Sequence, residues 1–151
     1  MSNSAHMLSP TLDRTLYQPS LHPFRALLLG AADAFLVSGF LSDWAYFSDH
    51  QIQWKNFADW LIVGGLIFAG FALLWSLVDL FRSSLDRGRR VIAFGLLVAA
   101  FILGIVDELV HAKDAWASMP DGLIISGVVA VLAVAATALE FSAGATGRTL
   151  T

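Results

Sequence analysis

The sequence predicts an all-α protein, an antiparallel bundle of four transmembrane helices with both termini in the cytoplasm. Two observations predict the helices. The 151-residue chain is 57% hydrophobic, and a helix crosses the hydrocarbon core with about 20 mostly apolar residues. Apolar runs fill most of the chain, and three of them carry no charge. They cover 24–46, 60–78, 91–106 and 122–139. The run 60–78 is apolar on every face, whereas a water-soluble bundle helix shows a polar stripe.

Local signals place the first two spans. Pro23 suits the first turn of a helix, so span one is predicted at about 24–46. Asn56 resembles an N-cap with an acid, Asp59, three residues later, which predicts span two at about 57–81.

The second half of the chain has comparable signals for where helices begin and end. A basic turn at 83–90 that contains Gly88 as a helix breaker places span three at about 90–110, and Pro120 precedes span four at about 121–141. One membrane domain is therefore predicted, flanked by a mobile N-terminal tail and a flexible C-terminal tail. These three segments are 22–141, 1–21 and 142–151.

The basic residues divide unequally between the two sides of this arrangement. The side with both termini and the second loop holds Arg14, Arg25, Arg82, Arg87, Arg89, Arg90 and Arg148. The opposite side holds Lys55 and Lys113. The positive-inside rule therefore predicts cytoplasmic termini. The net charge of −3 does not favour a nucleic-acid partner, and the lack of cysteine excludes disulfides and thiolate metal sites.

Polar residues are predicted to gather at the cytoplasmic end of the bundle. This inner polar cluster comprises His22, Arg25, Asp33, Asp79 and Glu140. We expect Arg25 to pair with Asp79 or Glu140, because paired charges near helix ends are the usual arrangement in membranes. The alternative is an anion or lipid-headgroup site at His22 and Arg25.

Asp33 is the deepest ionisable residue, about 12 Å further into the membrane than Arg25 at 1.5 Å per residue. The same depth on span two falls at Trp75 and Ser76, which are therefore the expected hydrogen-bond partners of Asp33. A structural hydrogen bond between the two spans is one interpretation. A proton-relay or ion-path carboxyl is the other.

An outer polar cluster is predicted around the end of span three. It comprises Asp107, Glu108, His111, Asp114 and Trp116. We expect a solvated helix end anchored by Trp116, with His111 hydrogen-bonded to Asp107 or Asp114. The alternative is a divalent-cation site or a partner-docking surface on the periplasmic side.

Cofactor signals are weak. The candidate metal ligands are His50, His111 and Asp107. Two axial histidines could hold a haem b, but His50 and His111 both lie at the interface and spans two and four have no histidine. No cofactor is predicted, and no catalytic motif indicates an enzyme.

The order of several short motifs is similar to a known family. They are His22-Pro23, Arg25-Ala26-Leu27-Leu28, Ile52-Gln53-Trp54, Leu74-Trp75, Val110-His111-Ala112-Lys113-Asp114-Ala115-Trp116 and Met119-Pro120. Over about 21–141 the chain resembles the DUF2231 family of small bacterial four-span membrane proteins, a domain of unknown function. The resemblance implies a bundle in the bacterial inner (plasma) membrane and a link to redox enzymes. Leu27 stands where relatives carry a second histidine, which removes a two-histidine ligand set from span one.

Three functions fit these predictions. The first is a non-enzymatic membrane module that anchors or assists a partner, such as a periplasmic redox enzyme. The second is a small proton, ion or solute transport protein that uses Asp33 and forms a homo-oligomer. The third is a haem or metal electron-transfer subunit.

Overall fold

A computed structural model describes residues 21–82, 87–113 and 117–145. The described residues form four helices and no strand, and all four helices are long and apolar enough to cross a membrane. The helices are α1 (Pro23–Asp49), α2 (Ile52–Arg82), α3 (Arg87–His111) and α4 (Asp121–Ala145). The all-α, four-helix prediction is confirmed. The predicted N-terminal tail, apart from its last residue, and 83–86 of the predicted basic turn lie outside the described residues. α3 begins at Arg87, so 87–90 are helical and the prediction of Gly88 as a helix breaker is wrong.

The connection between α1 and α2 is shorter than predicted. His50 adopts a left-handed conformation (φ 58°) and caps α1 by donating its backbone N–H to Tyr46 O at 2.8 Å. Asp49 Oδ1 accepts the backbone N–H of Gln51, so α2 begins at once, at Ile52. The prediction of Asn56 as an N-cap is therefore wrong, because this residue lies inside α2. At the far end of the chain, 142–145 continue α4 instead of forming part of a flexible tail.

The helices run up and down around a core of small residues. α1 packs against α2 and α4, and α3 packs against the same two helices. Two apolar layers fill the core. The first consists of Leu28, Leu29, Ala32, Ala69, Ala72, Leu97 and Ala136. The second consists of Leu36, Ala58, Ile62, Ala100, Val129 and Ala133. Arg25 lies at one end of the bundle and His111 at the other, and these names identify the two ends below.

The surface and the interior are inverted relative to a water-soluble protein. Large apolar side chains point outwards, with Phe81 79% exposed, Trp60 77% and Val131 70%. Charged side chains are buried, among them Arg25 and Asp107. Water would disfavour both features, whereas lipid solvates the apolar surface and drives polar groups into the bundle interior. The four apolar helices together with this inversion indicate a multi-pass membrane protein.

Glycines allow α1 and α2 to approach closely. A Cβ at Gly65 would lie 2.7 Å from Leu36 Cγ and 3.3 Å from the Leu36 backbone nitrogen. A Cβ at Gly39 would lie 2.8 Å from Ile62 Cγ1. Leu36 and Ile62 are buried, so neither can move aside easily. These two positions fix the distance between the first two helices.

We predict that Gly65→Ala destabilises the bundle by about 1–3 kcal/mol, the usual range for overpacking a filled core. Gly95→Ala is the matched control, because a Cβ at Gly95 in α3 meets no atom within 4 Å. Equilibrium unfolding of both variants in a mild detergent mixture measures the difference. Equal stability of the two variants would show that α1 and α2 are not packed at this distance.

Candidate functional site

Arg25 forms the centre of a charge cluster at its end of the bundle. Its side chain is buried and donates hydrogen bonds to Asp79 Oδ2 at 3.0 Å, Ser76 Oγ at 2.9 Å and Glu140 Oε1 at 2.6 Å. The guanidinium has forked donors that can serve several acceptors at once. Arg25 therefore bonds both of the alternative partners, Asp79 and Glu140, and ties α1 to α2 and α4.

The remaining residue of the predicted anion site lies apart from this cluster. His22 is exposed, and its Nδ1 accepts the backbone N–H of Phe24 at 3.3 Å as the N-cap of α1. Its ring lies against Trp75, with centroids 5.0 Å apart. Two carboxylates already surround Arg25. The geometry therefore argues against an anion or headgroup site at His22 and Arg25.

Asp33 faces a different helix from the one predicted. It is half-buried, and its polar neighbour is Thr137 on α4. Thr137 Oγ1 itself is buried and has no well-formed hydrogen bond among the described residues. Ser76 bonds Arg25 and Trp75 packs on His22, so the prediction that they bond Asp33 is wrong. Counting residues gives depth along a helix axis, but it does not give the direction in which the side chain points.

The second cluster centres on His111, whose side chain is 1% exposed. His111 Nε2 lies 2.8 Å from Asp43 Oδ1, and Nδ1 lies 3.0 Å from the backbone oxygen of Asp107. Asp43 and Asp107 are both fully buried. The predicted solvation of His111 is therefore wrong, whereas its predicted hydrogen bond to Asp107 is present and ends on the backbone oxygen. The start of α4 covers the ring, and a Cβ at Gly122 would lie 2.9 Å from His111 Cε1.

The hydrogen bonds of His111 determine part of its protonation. The Asp107 carbonyl oxygen can only accept, so Nδ1 must carry a hydrogen. One further proton lies between Nε2 and Asp43 Oδ1, on one atom or the other. This is the arrangement in which an acceptor on one ring nitrogen fixes the chemistry of the other.

Lys55 is the basic residue that α2 contributes to this cluster. It is buried, and its ammonium donates to the backbone oxygen of His111 at 2.6 Å and lies 3.5 Å from Asp59 Oδ2. Glu108 is half-buried beside these groups, and its Oε1 accepts no hydrogen bond from a described residue. Three helices therefore contribute ionisable groups to one buried centre.

Carboxylate oxygens outnumber hydrogen donors in this centre. The buried oxygens without a hydrogen bond from any residue that the structure describes include Asp43 Oδ2, Asp107 Oδ1, Asp107 Oδ2, Asp59 Oδ1 and Glu108 Oε1. Asp107 Oδ1 does lie 3.3 Å from His111 Nδ1, but the hydrogen of this nitrogen is directed at the backbone carbonyl. One oxygen each of Asp43 and Asp107 and one ring nitrogen of His111 lie within 4.8 Å of one another.

The outcomes for the other predicted residues are mixed. Asp107 and His111 do come together, and Glu108 lies beside them, whereas Asp114 and Trp116 lie outside the described residues. His50 caps α1 beside Tyr46, with ring centroids 6.2 Å apart, and is not part of the group of potential metal ligands around His111.

Three residues of the centre were not predicted as site residues: Asp43, Lys55 and Asp59, the last of which was assigned only to the start of span two. Asp43 continues the buried face of α1 after Leu36 and Gly39, at spacings of three and four, and this periodicity could have placed it in the core. Lys55 was assigned to a loop because α2 was predicted to start too late. No comparable sequence signal identifies Lys55.

Comparison with protein-family models, curated proteins and solved structures gave no match to this chain. Conclusions about the site therefore depend on its own geometry.

We predict that Arg25→Met destabilises the protein by about 3–5 kcal/mol, the cost of leaving buried charges without their partner. Arg87→Met, at an exposed position of α3, is the control for loss of one positive charge. The triple variant Arg25→Met, Asp79→Asn, Glu140→Gln should recover most of the loss, because no uncompensated charge remains. Unfolding in detergent measures all three, and a triple variant less stable than Arg25→Met would contradict this account.

Proposed function

We propose that this chain is a rigid four-span module of the bacterial inner membrane that anchors or assists a partner and catalyses no reaction itself. The observation that supports the proposal is the pair of buried charge clusters, one at each end of the bundle. The Arg25 cluster joins α1, α2 and α4. The His111 cluster joins α1, α2 and α3. Every helix is therefore held by at least one of them.

The interior between the clusters argues against transport through one chain. Asp33 and Asp43 are about 15 Å apart along α1, at 1.5 Å per residue. Buried apolar side chains fill this interval, including Leu36, Ile62 and Val129. The buried hydroxyl of Ser42 bonds Ser38 O on its own helix. A proton relay needs a chain of polar groups, so this interior favours a scaffold over a conduit.

A haem electron carrier is also disfavoured. Bis-histidine ligation needs two imidazoles aimed at one iron. The start of α4 covers the buried His111 ring, where a Cβ at Gly122 would lie 2.9 Å from Cε1, so no porphyrin fits against it, and His50 caps α1. An open apolar groove of about 580 Å³ lies between α2 and α3. Only aliphatic residues, glycine and phenylalanine line it, so it offers no axial ligand to a haem iron.

The unequal division of positive charge between the two ends of the bundle supports cytoplasmic termini. The ratio between the ends becomes larger when the two buried basic residues are left out of the count. Arg25 and Lys55 are bonded inside the bundle and are not loop charges. Among the residues that the structure describes, the remaining arginine and lysine residues divide four to one in favour of the Arg25 end. Flanking positive charges set orientation through the positive-inside rule. The Arg25 end would then face the cytoplasm and the His111 end the periplasm.

We predict that cysteine labelling in intact cells follows this orientation. The chain has no cysteine, so single substitutions are unambiguous. Gln53→Cys, at an exposed position of the His111 end, should react with a membrane-impermeant maleimide. Ser4→Cys should react only after permeabilisation. The reverse pattern would invert the proposed topology.

The exposed part of the His111 end supports a partner on the periplasmic side. Trp44, Trp54 and Trp60 are exposed there, and Asp49 accepts the Trp54 indole N–H at 3.0 Å. Tryptophan favours the membrane interface and also anchors protein contacts. His111 is buried and would not touch the partner. The resemblance to the DUF2231 family, which we also propose, is consistent with a redox enzyme in this position.

We predict that a photo-crosslinking residue at Gln53 captures one discrete partner in cells. The same residue at Val131, which is exposed on the apolar flank of α4, is the control for collision with lipid and unrelated membrane proteins. Mass spectrometry of the Gln53 product identifies the partner. Products that are identical from both positions, or none from Gln53, would refute the anchoring role.

A further inference from the structure

We propose that Asp43, Asp107 and His111 form a binding centre for one divalent transition-metal cation, in the class of Zn²⁺ or Mn²⁺. This site goes beyond the anchoring role and does not depend on it. It unites residues of α1 and α3 and places the cation inside the His111 end of the bundle.

The geometry provides three ligands of suitable type. One potential ligand atom from each residue lies within 4.8 Å of the other two. Ligands at about 2.0–2.2 Å from Zn²⁺ are about 3.4 Å apart in a tetrahedral site. Metal binding at this spacing requires a side-chain rotation that brings an Asp107 oxygen towards Nε2. Water or a further oxygen would complete the coordination.

The orphaned oxygens point independently to a cation. Asp43 and Asp107 are fully buried, and three of their four carboxylate oxygens accept no hydrogen bond from a described residue. Buried polar atoms in proteins nearly always have a partner. A buried acceptor without a donor is stabilised by a positive ion, which supplies what the surrounding side chains lack.

The charge balance favours a divalent ion. Metal binding releases to solvent the proton that lies between His111 Nε2 and Asp43 Oδ1, after which the imidazole is neutral and Asp43 and Asp107 carry two negative charges, which a divalent cation neutralises. Lys55 lies 3.5 Å from Asp59, and so its charge compensates that carboxylate. A bundle surrounded by lipid makes an uncompensated charge expensive.

Existing hydrogen bonds preorganise the histidine as a ligand. Nδ1–H donates to the Asp107 carbonyl, so loss of the proton that lies between Nε2 and Asp43 Oδ1 frees the lone pair of Nε2 on the side that faces Asp43. Metal-bound histidines usually carry such a bond on the other nitrogen. Lys55 holds the backbone oxygen of His111, and Gly122 allows α4 to seal the ring.

The ligand set indicates which cations fit. One imidazole and two carboxylates suit first-row divalent ions better than Ca²⁺ or Mg²⁺, which prefer oxygen alone. Asp59 and Glu108 are partly buried beside the centre, and each has a buried carboxylate oxygen that accepts no hydrogen bond from a described residue.

Zinc titration of the purified, chelator-treated full chain tests the site, with a tag that contains no histidine. We expect one Zn²⁺ per chain, a rise in melting temperature on binding, and little response to equimolar Mg²⁺. Asp43→Asn and Asp107→Asn should each weaken Zn²⁺ binding at least about 100-fold, more than the loss of a second-shell partner costs. Asp121→Asn, an exposed acid at the same end, should bind like the wild type.

A second variant keeps the test decisive if the asparagine variants do not fold. His6→Gln, His22→Asn and His50→Asn together leave His111 as the sole histidine. Asparagine preserves the N-cap acceptor at 22 and tolerates the left-handed backbone at 50. X-ray absorption of this zinc-loaded variant should show one imidazole and otherwise oxygen ligands. No bound zinc, a first shell without imidazole, or unchanged affinity in folded Asp43→Asn would overturn the proposal.

Discussion

A charge inside a bundle that lipid surrounds has no water to solvate it, so each buried charge must find a partner on another helix. α1 shows the consequence most clearly, because it carries a buried ion at each end. Arg25 bonds carboxylates of α2 and α4, and Asp43 bonds His111 of α3. These two positions are about 27 Å apart along α1 at 1.5 Å per residue. Together they fix both the rotation of α1 and its axial position against the other three helices, although only α2 and α4 pack along it.

Between the two clusters the helices are held by close contact. Apolar burial stabilises little in lipid, because the acyl chains are as apolar as the core. Small residues compensate by letting backbones approach, as at Ala69, Ala72 and Ala133, each with no exposed surface. The glycine contacts at Gly39 and Gly65 act in the same way. The charge pairs at the ends therefore set the rotation and axial position of the helices, and the small residues in the middle set the distance between them.

The sequence predicts the fold better than the site, and the reason is physical. Helix number follows from apolar length, which any membrane imposes on every span. Which side chains contact each other depends on the direction in which each side chain points from its helix and on the residue at which each helix begins. Because α2 begins at Ile52, earlier than predicted, Lys55 lies in the core and not in a loop. Arg25 was assigned its partners correctly because both acids lie at the same depth. Asp33 was not, because depth alone cannot distinguish Thr137 on α4 from Ser76 on α2. Asp43 was not included in the predicted outer polar cluster because it lies near a helix end, where acidic side chains are usually solvated.

In both clusters a buried charge needs groups of opposite charge around it, but the Arg25 cluster has a cation at its centre and the His111 cluster has carboxylates. At the Arg25 end a cation occupies the centre and donates to three oxygen acceptors, and its buried Nε is the one donor nitrogen without an acceptor among the described residues. At the His111 end carboxylates occupy the centre, and the donors reach only one Asp43 oxygen and two backbone carbonyls. Because the same lipid surrounds both ends, it penalises the uncompensated acceptors of the second cluster as strongly as it would an unpaired arginine. The His111 end therefore has a structural demand for positive charge that the Arg25 end does not have.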